Sequence, residues 1–271
     1  MAKLSMNEMT TYRWSFEQDV AKYQAAQIPA IGVWRQKLAD FGEQDGIRLL
    51  SESGLEVSNL LWAGGFTGSD GRSYADSLKD AGDAIRLAHA MQAECLVVYS
   101  GGRNGHTQNH ARRLFVSALR ELLPMATDFE VTLAVEPMHP GCSGDWTFLS
   151  TVDESLALLD AVGSPYIKLA FDTYHLGHDP QVLDHIRQLT GRIAVVHLGD
   201  GHGPPDRDQN RVRLGAGKLP LSEMIAAIES TGFDGHYDVE LFGEEIEAGC
   251  YEDLLVSSKQ AFEELFSAVT K

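Results

Sequence analysis

The chain has 271 residues, a length that suits a single α/β barrel of about 250 residues or two average domains. Its 39 acidic and 22 basic residues give a net charge of -17, which repels a phosphate backbone and argues against a nucleic-acid partner. No window is apolar enough for a membrane span, and the first residues lack an apolar leader, so we expect a cytosolic protein without membrane association. The cysteines, Cys95, Cys142 and Cys250, have no CxxC spacing, which disfavours a thiolate zinc site or a disulfide framework.

Apolar, β-branched runs alternate with segments of helical apolar spacing along the chain. The runs predict strands at 3–9, 30–34, 56–61, 95–99, 131–136, 167–172, 193–198 and 236–241. The helical segments are 15–27, 36–53, 75–91, 109–127, 151–162, 221–230 and 253–269, with Pro124 expected to disturb the fourth near its end. Since no linker or change of composition interrupts this order, we expect one domain of parallel βα units over residues 1–271.

Four of the later strands carry a potential metal ligand at or near their last residue. These residues are Glu136, Asp172, His197 and Glu240. Side chains alternate along a strand, so residues 134, 170, 195 and 238 should lie beneath the four on the same inward face. A closed ring brings four strand ends around one centre, whereas an open sheet spreads them along a line. The pattern therefore favours a (β/α)8 TIM barrel over a doubly wound sheet, and no GxGxxG or P-loop motif supports a nucleotide site.

Each of the four residues also has an ordinary structural explanation. A strand-end glutamate is often solvated or ion-paired, Asp172 could cap the following turn, and His197 could be a core histidine. One divalent metal ion would explain all four positions together. Three carboxylates and one imidazole suit Mn²⁺, which we expect first, while Mg²⁺, Co²⁺ and Zn²⁺ remain open.

Several residues near these strand ends are candidates for binding a substrate. His175 lies three residues beyond Asp172, and His139 lies in a turn stiffened by two prolines; either could reach a substrate or be a surface histidine. Trp62 and Trp146 could stack on a sugar ring, or simply pack. The long loop after the seventh strand carries arginines that could hold a substrate oxygen or carboxylate, although spacing alone does not say which one.

Two glutamates on a divalent ion suggest proton transfer at carbon. The metal would polarise a carbonyl and the adjacent hydroxyl, Glu136 or Glu240 would remove a proton from carbon, and the other would return one. This chemistry predicts an isomerase or epimerase acting on a ketose or keto-sugar through an enediolate. The same enediolate could instead expel a β-leaving group, so a dehydratase or lyase acting on an inosose or 3-keto-glycoside is the alternative.

The segments AVEPMHP, FDTYH, VVHLGD, RVRLGAGKLPL and FDGHYDVEL together resemble the xylose isomerase-like TIM-barrel superfamily, in its sugar phosphate isomerase/epimerase family. The resemblance covers essentially the whole chain. It implies that the four strand-end residues are the metal ligands and that the two glutamates are the acid/base pair. It further implies that His175 matches the histidine of a DxxH pattern and that Arg211 is the substrate-binding arginine.

The chain departs from the endonuclease branch of that superfamily, which holds three zinc ions. That branch needs further histidines after the third and fourth strands and an Asp-x-His before the GxG turn. Here the corresponding places hold Trp62, Ser100, and Gln209 with Arg211. A trinuclear, DNA-cleaving site is therefore disfavoured, and a small sugar remains the expected partner. Oligomeric state is not readable from the sequence, and a homo-oligomer is one possibility.

Overall fold

The computed structural model describes residues 2–269, in which eight parallel strands follow chain order around a closed barrel. The strands are β1 Lys3–Asn7, β2 Ala30–Trp34, β3 Glu56–Gly64, β4 Cys95–Tyr99, β5 Thr132–Val135, β6 Ile167–Asp172, β7 Ile193–Leu198 and β8 His236–Val239. The last strand pairs in parallel with the first, which closes the ring. The TIM barrel predicted from the sequence is thereby confirmed.

Helices follow the strands around the outside. They are α1 Phe16–Ala25, α2 Arg35–Phe41, α3 Glu43–Ser53, α4 Tyr74–Ala90, α5 Gln108–Asp128, α6 Val152–Val162, α7 Thr173–Leu176, α8 Val182–Arg187, α9 Leu221–Ser230, α10 Glu244–Ala248 and α11 Tyr251–Val269. Several begin at a hydroxyl N-cap: Ser15 accepts from the Gln18 amide in a capping box, and Thr151 accepts from the Glu154 amide.

Three helical predictions differ from the structure. The segment 36–53 is two helices, because the chain breaks at Gly42, whose φ of 110° is a conformation open mainly to glycine. The helix containing Pro124 continues through that residue to Asp128. Short helices that the sequence pattern did not predict are the third difference, and they are α7 and α8 between β6 and β7 and α10 after β8.

The interior of the barrel is filled by small and medium apolar side chains. Its buried cluster comprises Leu61, Cys95, Val97, Ala134, Ala170 and Val195. Three of these are the inward positions predicted beneath the strand-end residues, and Cys95 is fully buried. A larger apolar layer lies between the strands and the surrounding helices.

Asp238 is the fourth inward position, and it gives the barrel interior a polar patch. Its Oδ2 accepts from the side-chain amides of Asn7 and Asn59, each at 2.7 Å. A Cβ atom at Gly32 would overlap with this carboxylate, so the absence of a side chain there makes room for it. Burial raises the pKa of Asp238.

Among the helices described for residues 2–269, none is both long enough and apolar enough to cross a membrane.

Candidate metal centre and active-site cavity

The four predicted ligands meet at the carboxyl end of the barrel. Glu136 and Glu240 directly follow β5 and β8, Asp172 ends β6, and His197 is the penultimate residue of β7. One ligand atom from each lies within 4.8 Å of all the others. The four residues are buried, with exposed fractions between 1% and 7%. Three carboxylates and an imidazole are buried together away from water. Either protons or a cation must balance the negative charge of the carboxylates.

His197 presents one ring nitrogen to two carboxylates. Its Nδ1 lies 2.7 Å from Glu136 Oε1 and 3.0 Å from Glu240 Oε2. A single N–H can satisfy only one of these oxygens, and Glu240 Oε2 is buried without a hydrogen-bond partner among the described residues. A divalent cation would satisfy both oxygens and the nitrogen, so the donor set fits such an ion.

Asp172 serves its own backbone as well as the centre. Its Oδ1 accepts from the amides of Tyr174 and His175, at 2.6 Å and 3.0 Å, as the N-cap of α7. The other oxygen accepts from Arg211 Nη2 at 2.8 Å. Burial opposes ionisation, but the neighbouring His175 and Arg211 together lower the pKa of Asp172. The capping interpretation is therefore correct, and it leaves the carboxylate within the four-residue cluster.

Arg211 is a buried cation, only 1% exposed. Its guanidinium carbon lies 4.6 Å from the centre of the Tyr174 ring and 4.0 Å from that of Phe242. Burial alone would lower its pKa, yet the charges of Asp172 and Glu240 raise the pKa above its usual value. Its Nε and Nη1 are buried and have no hydrogen-bond partner among the described residues, so they are free to donate to a ligand.

The two glutamates differ in their preferred protonation. Burial raises the pKa of Glu136. Burial also acts on Glu240, but Arg211 and His197 outweigh it and lower the pKa of that residue. Two carboxyl groups whose environments move their pKa values apart are suited to act as an acid and a base.

A cavity of about 300 Å³ opens beside the centre. Of the residues proposed from the sequence, six line it: Glu136, Glu240, His175, Arg211, Trp62 and Trp146. The two tryptophan rings lie 5.5 Å apart between centroids. His175 is 4% exposed and belongs to α7, so its interpretation as a surface histidine is wrong. Burial lowers the pKa of His175 to about 4, which keeps the ring neutral near pH 7.

His139 is not among the residues lining the cavity. Its Nδ1 accepts from the Gly141 amide at 3.1 Å, and its ring lies 6.1 Å from that of His178. The turn after β5 directs this imidazole toward the neighbouring loop. Its position gives no support to the prediction that it contacts a substrate.

Sequence reasoning missed much of the cavity wall. The additional lining residues are Met9, Tyr12, Trp34, Tyr99, Met138 and Phe242, together with Gln209. Trp34 and Tyr99 are the last residues of β2 and β4, so the rule that found the carboxylates could have found these two. An aromatic residue at a strand end is also what ordinary core packing requires, and the pattern alone does not separate the two roles.

A second acidic group lies at the opposite end of the barrel. Glu56 and His236 begin β3 and β8, and Glu94 directly precedes β4. The His236 ring nitrogens lie 3.2 Å and 2.9 Å from the two carboxylates, and Lys3 pairs with Glu94 at 3.2 Å. Because both glutamates are exposed, these contacts form a polar cluster at the surface, in which Lys3 and Glu94 are an ion pair.

Known proteins share this architecture. The family model described as a xylose isomerase-like TIM barrel matches residues 21–265. The chain belongs to this family. The resemblance stated from the sequence motifs is thereby confirmed, and the four strand-end residues occupy one common centre within the family fold.

Curated relatives are sugar epimerases and inosose isomerases. D-psicose 3-epimerase from Enterocloster bolteae is 30% identical over 128 residues, which is 47% of this chain and 39% of that protein. Inosose isomerase from Bacillus velezensis is 27% identical over 154 residues, 55% of this chain and 53% of the relative. L-ribulose 3-epimerase from Methylomonas sp. strain DH-1 is 27% identical over 235 residues, 83% of this chain and 76% of the relative. The chain spans about two fifths of the length of the first relative and about half of that of the second.

Solved structures share the fold. Protein SMc04130 from Sinorhizobium meliloti 1021 superposes with a TM-score of 0.90 at 26% identity, over 97% of this chain and 98% of that one. The IOLI protein, solved with a bound zinc atom, gives a TM-score of 0.85 at 19% identity, with 98% of both chains covered. At that identity the second similarity concerns the fold alone.

Proposed function

We propose that this protein is a divalent-metal-dependent isomerase or epimerase of ketoses or keto-sugars. The observation that carries the proposal is the convergence of two glutamates, an aspartate and a histidine on one buried centre beside a cavity of small-molecule size. The names of the curated relatives, D-psicose 3-epimerase, inosose isomerase and L-ribulose 3-epimerase, support the same class of reaction.

The proposed reaction exchanges a proton at the carbon next to a carbonyl. Glu136, Asp172, His197 and Glu240 would hold the metal, whose chemistry when bound is Lewis-acid polarisation of the carbonyl and the neighbouring hydroxyl. One glutamate removes the proton from carbon, which leaves an enediolate, and the other glutamate returns a proton to the opposite face or to the adjacent carbon.

The surrounding residues would fix the substrate for this transfer. Arg211 lines the cavity, and its unpartnered Nε and Nη1 donors are suited to hold a carbonyl or hydroxyl oxygen. His175 is neutral and buried beside the centre, where it can donate or accept a hydrogen bond without adding charge. Trp62 and Trp146 would cover one side of the sugar and limit access of water.

Incubation of the Mn²⁺-loaded protein in D₂O with D-psicose, L-ribulose or an inosose tests the proposal. We expect deuterium at the carbon next to the carbonyl, together with the epimer or isomer, for at least one substrate. Absence of exchange with every one of these sugars would contradict the proposal. Exchange accompanied by loss of water or of an aglycone would favour the dehydratase or lyase alternative.

The choice of Mn²⁺ among divalent ions is part of the proposal. Three carboxylate ligands and one imidazole suit Mn²⁺, and Mg²⁺, Co²⁺ and Zn²⁺ are the other ions to be compared. Activity of the protein reloaded separately with each ion would rank them. A cytosolic location and a homo-oligomeric state remain predictions to be tested on the purified protein and in cells.

A further inference from the structure

Much of the cavity wall is aromatic. Six of the thirteen lining residues are aromatic, and they are Tyr12, Trp34, Trp62, Tyr99, Trp146 and Phe242. Five of them make ring contacts with one another: Tyr12 and Trp34 are stacked at 5.7 Å, while Trp146 lies 5.5 Å from Trp62 and 5.6 Å from Tyr99. We call these six residues the aromatic wall.

The aromatic wall extends to the mouth of the cavity. Tyr12 and Trp146 are 50% and 40% exposed, and they are two of the three large apolar side chains exposed in the described part of the chain. Large apolar side chains are usually buried, and their exposure around a cavity marks a surface that a ligand covers. The ligand should therefore extend past the metal centre toward the rim.

The cavity has little positive charge to balance the negative charge of an anionic ligand. Arg211 is the single lysine or arginine among the described residues that line it, and it is already paired with Asp172. Three carboxylates, one guanidinium and a divalent cation sum to zero charge. A phosphate dianion entering this site would be desolvated without an opposite charge to balance it.

The glycine-rich turn after β7 does not present free amides to a phosphate. Asp200 accepts from the backbone N–H groups of Gly215 and Gly217 on Oδ2, each at 3.0 Å. Its Oδ1 accepts from Gly201 at 2.8 Å and from Leu219 at 3.3 Å. An internal carboxylate thus occupies the donors that a phosphate would require.

The short helix after β8 is equally unsuited to bind phosphate. In many TIM barrels the loops after the seventh and eighth strands and a short extra helix hold a phosphate group. Here the first turn of α10 carries Glu244, Glu245 and Glu247, and the Glu244 amide donates to Asn210 Oδ1 at 2.9 Å. At the other short helix, α7, Asp172 already accepts the first amides. Negative charge at these places repels an anion.

We propose that the substrate is an uncharged, unphosphorylated sugar that carries an apolar or aromatic substituent held by the aromatic wall. This inference rests on the proposed isomerase or epimerase function, because the metal centre is taken to bind the keto-sugar portion. The wall then binds the substituent through apolar burial and ring contacts.

A matched pair of sugars tests the exclusion of phosphate. L-ribulose and L-ribulose 5-phosphate differ only in the phosphate group, and exchange in D₂O is measured for both with the Mn²⁺-loaded protein. We expect kcat/KM to be at least about 100-fold higher for the free sugar. Equal or faster exchange of the phosphate ester would overturn this inference while leaving the proposed function intact.

Binding of glycosides tests the substituent and does not depend on turnover. Trp34, Trp62 and Trp146 line the cavity, so tryptophan fluorescence reports occupancy, and a Trp14→Phe background removes the fourth tryptophan of the chain. We expect a phenyl 3-keto-glycoside to bind about tenfold more tightly than the methyl 3-keto-glycoside of the same sugar. Equal affinities would overturn the inference, even if neither glycoside is turned over.

A variant locates this preference on the aromatic wall. Tyr12→Ala removes a rim side chain that is 50% exposed, so the fold should tolerate the change. We expect the phenyl preference to fall to less than about threefold while methyl glycoside affinity changes little. Trp34, Trp62 and Trp146 remain in the Trp14→Phe background, so fluorescence remains usable. An undiminished phenyl preference would contradict the assignment of the wall.

Discussion

Arg211 Nη2 donates to Asp172 Oδ2 at 2.8 Å, and each side chain is 1% exposed. This buried pair links the residue proposed to hold the substrate to a residue proposed to hold the metal. Neither charge has access to bulk water, so each depends on the other and on the surrounding centre.

Arg211→Met should destabilise the metal-free protein by about 3–5 kcal/mol, because it leaves the Asp172 carboxylate buried without its cation. Urea unfolding in the presence of a chelator measures this loss. Arg211→Lys is the matched control, since it keeps the charge but loses the planar group between Tyr174 and Phe242; it should be destabilised less. Wild-type stability of the methionine variant would contradict the structural role of the pair.

Binding of Mn²⁺ should stabilise the native protein through the four-residue centre. At a free concentration of 100 times Kd, a single site adds about 2.7 kcal/mol to the free energy of unfolding. Thermal unfolding with and without Mn²⁺ should show this gain in the wild type and little of it in Asp172→Asn. Glu94→Gln alters the acidic group at the other end of the barrel and should retain the full response. If only Glu94→Gln lost the stabilisation by Mn²⁺, the metal would bind at the opposite end of the barrel and the proposed centre would be wrong.

Glu136→Gln and Glu240→Gln should each lower conversion of substrate to product by about 10²- to 10⁴-fold, because each removes one of two proton-transfer groups. Deuterium exchange should be more informative than conversion. With one epimer as the substrate, only the variant that keeps the glutamate facing the proton on carbon should exchange that proton with solvent. With the other epimer, the other variant should be the one that exchanges. NMR of the recovered sugars distinguishes these cases, and normal conversion by both variants would exclude the acid/base assignment.

Stability should fall as the pH rises because of Glu8, which is 0% exposed. Burial and the nearby Asp19 raise the pKa of Glu8 well above its ordinary value of 4.5. The native state therefore holds a proton that the unfolded chain releases, so this contribution is complete below pH 4.5 and is lost progressively up to the native pKa. Lys37, which bonds Asp19 at 2.6 Å, opposes the shift without cancelling it.

Glu8→Gln removes this titration while keeping an acceptor for the Trp34 amide, which donates to Glu8 Oε2 at 2.7 Å. We expect the variant to gain stability relative to the wild type as the pH increases from 5 to 8. Urea unfolding at several pH values gives the difference. A constant difference between the two proteins across that range would show that Glu8 does not titrate there.

The barrel and its metal centre could be predicted because both depend on local patterns. Each ligand lies within one residue of a strand terminus, and closing the ring necessarily brings such termini together. The alternation of side chains also placed residues 134, 170 and 195 correctly in the interior. These features follow from chain order and strand geometry alone.

The helix breaks and the cavity wall depended on tertiary context. The break at Gly42 interrupts a segment whose apolar spacing continues on both sides, and α7 exists because Asp172 caps it. Tyr12 and Phe242 lie outside the strands, so only the folded loops bring them to the cavity. The positions of His139 and Arg211 relative to the centre likewise depend on the conformation of their loops, which the spacing of residues in the sequence does not predict.

Four of the six residues of the aromatic wall come from the half of the barrel that holds none of the metal-binding candidates. All four metal-binding candidates come from β5 to β8 or the residues that directly follow β5 and β8, whereas Tyr12, Trp34, Trp62 and Tyr99 come from β1 to β4 or the loops after them. Substitutions in the first half can therefore alter which molecules are accepted without touching the reactive groups. Related barrels can thus differ in the substrates that they accept while the reaction stays the same.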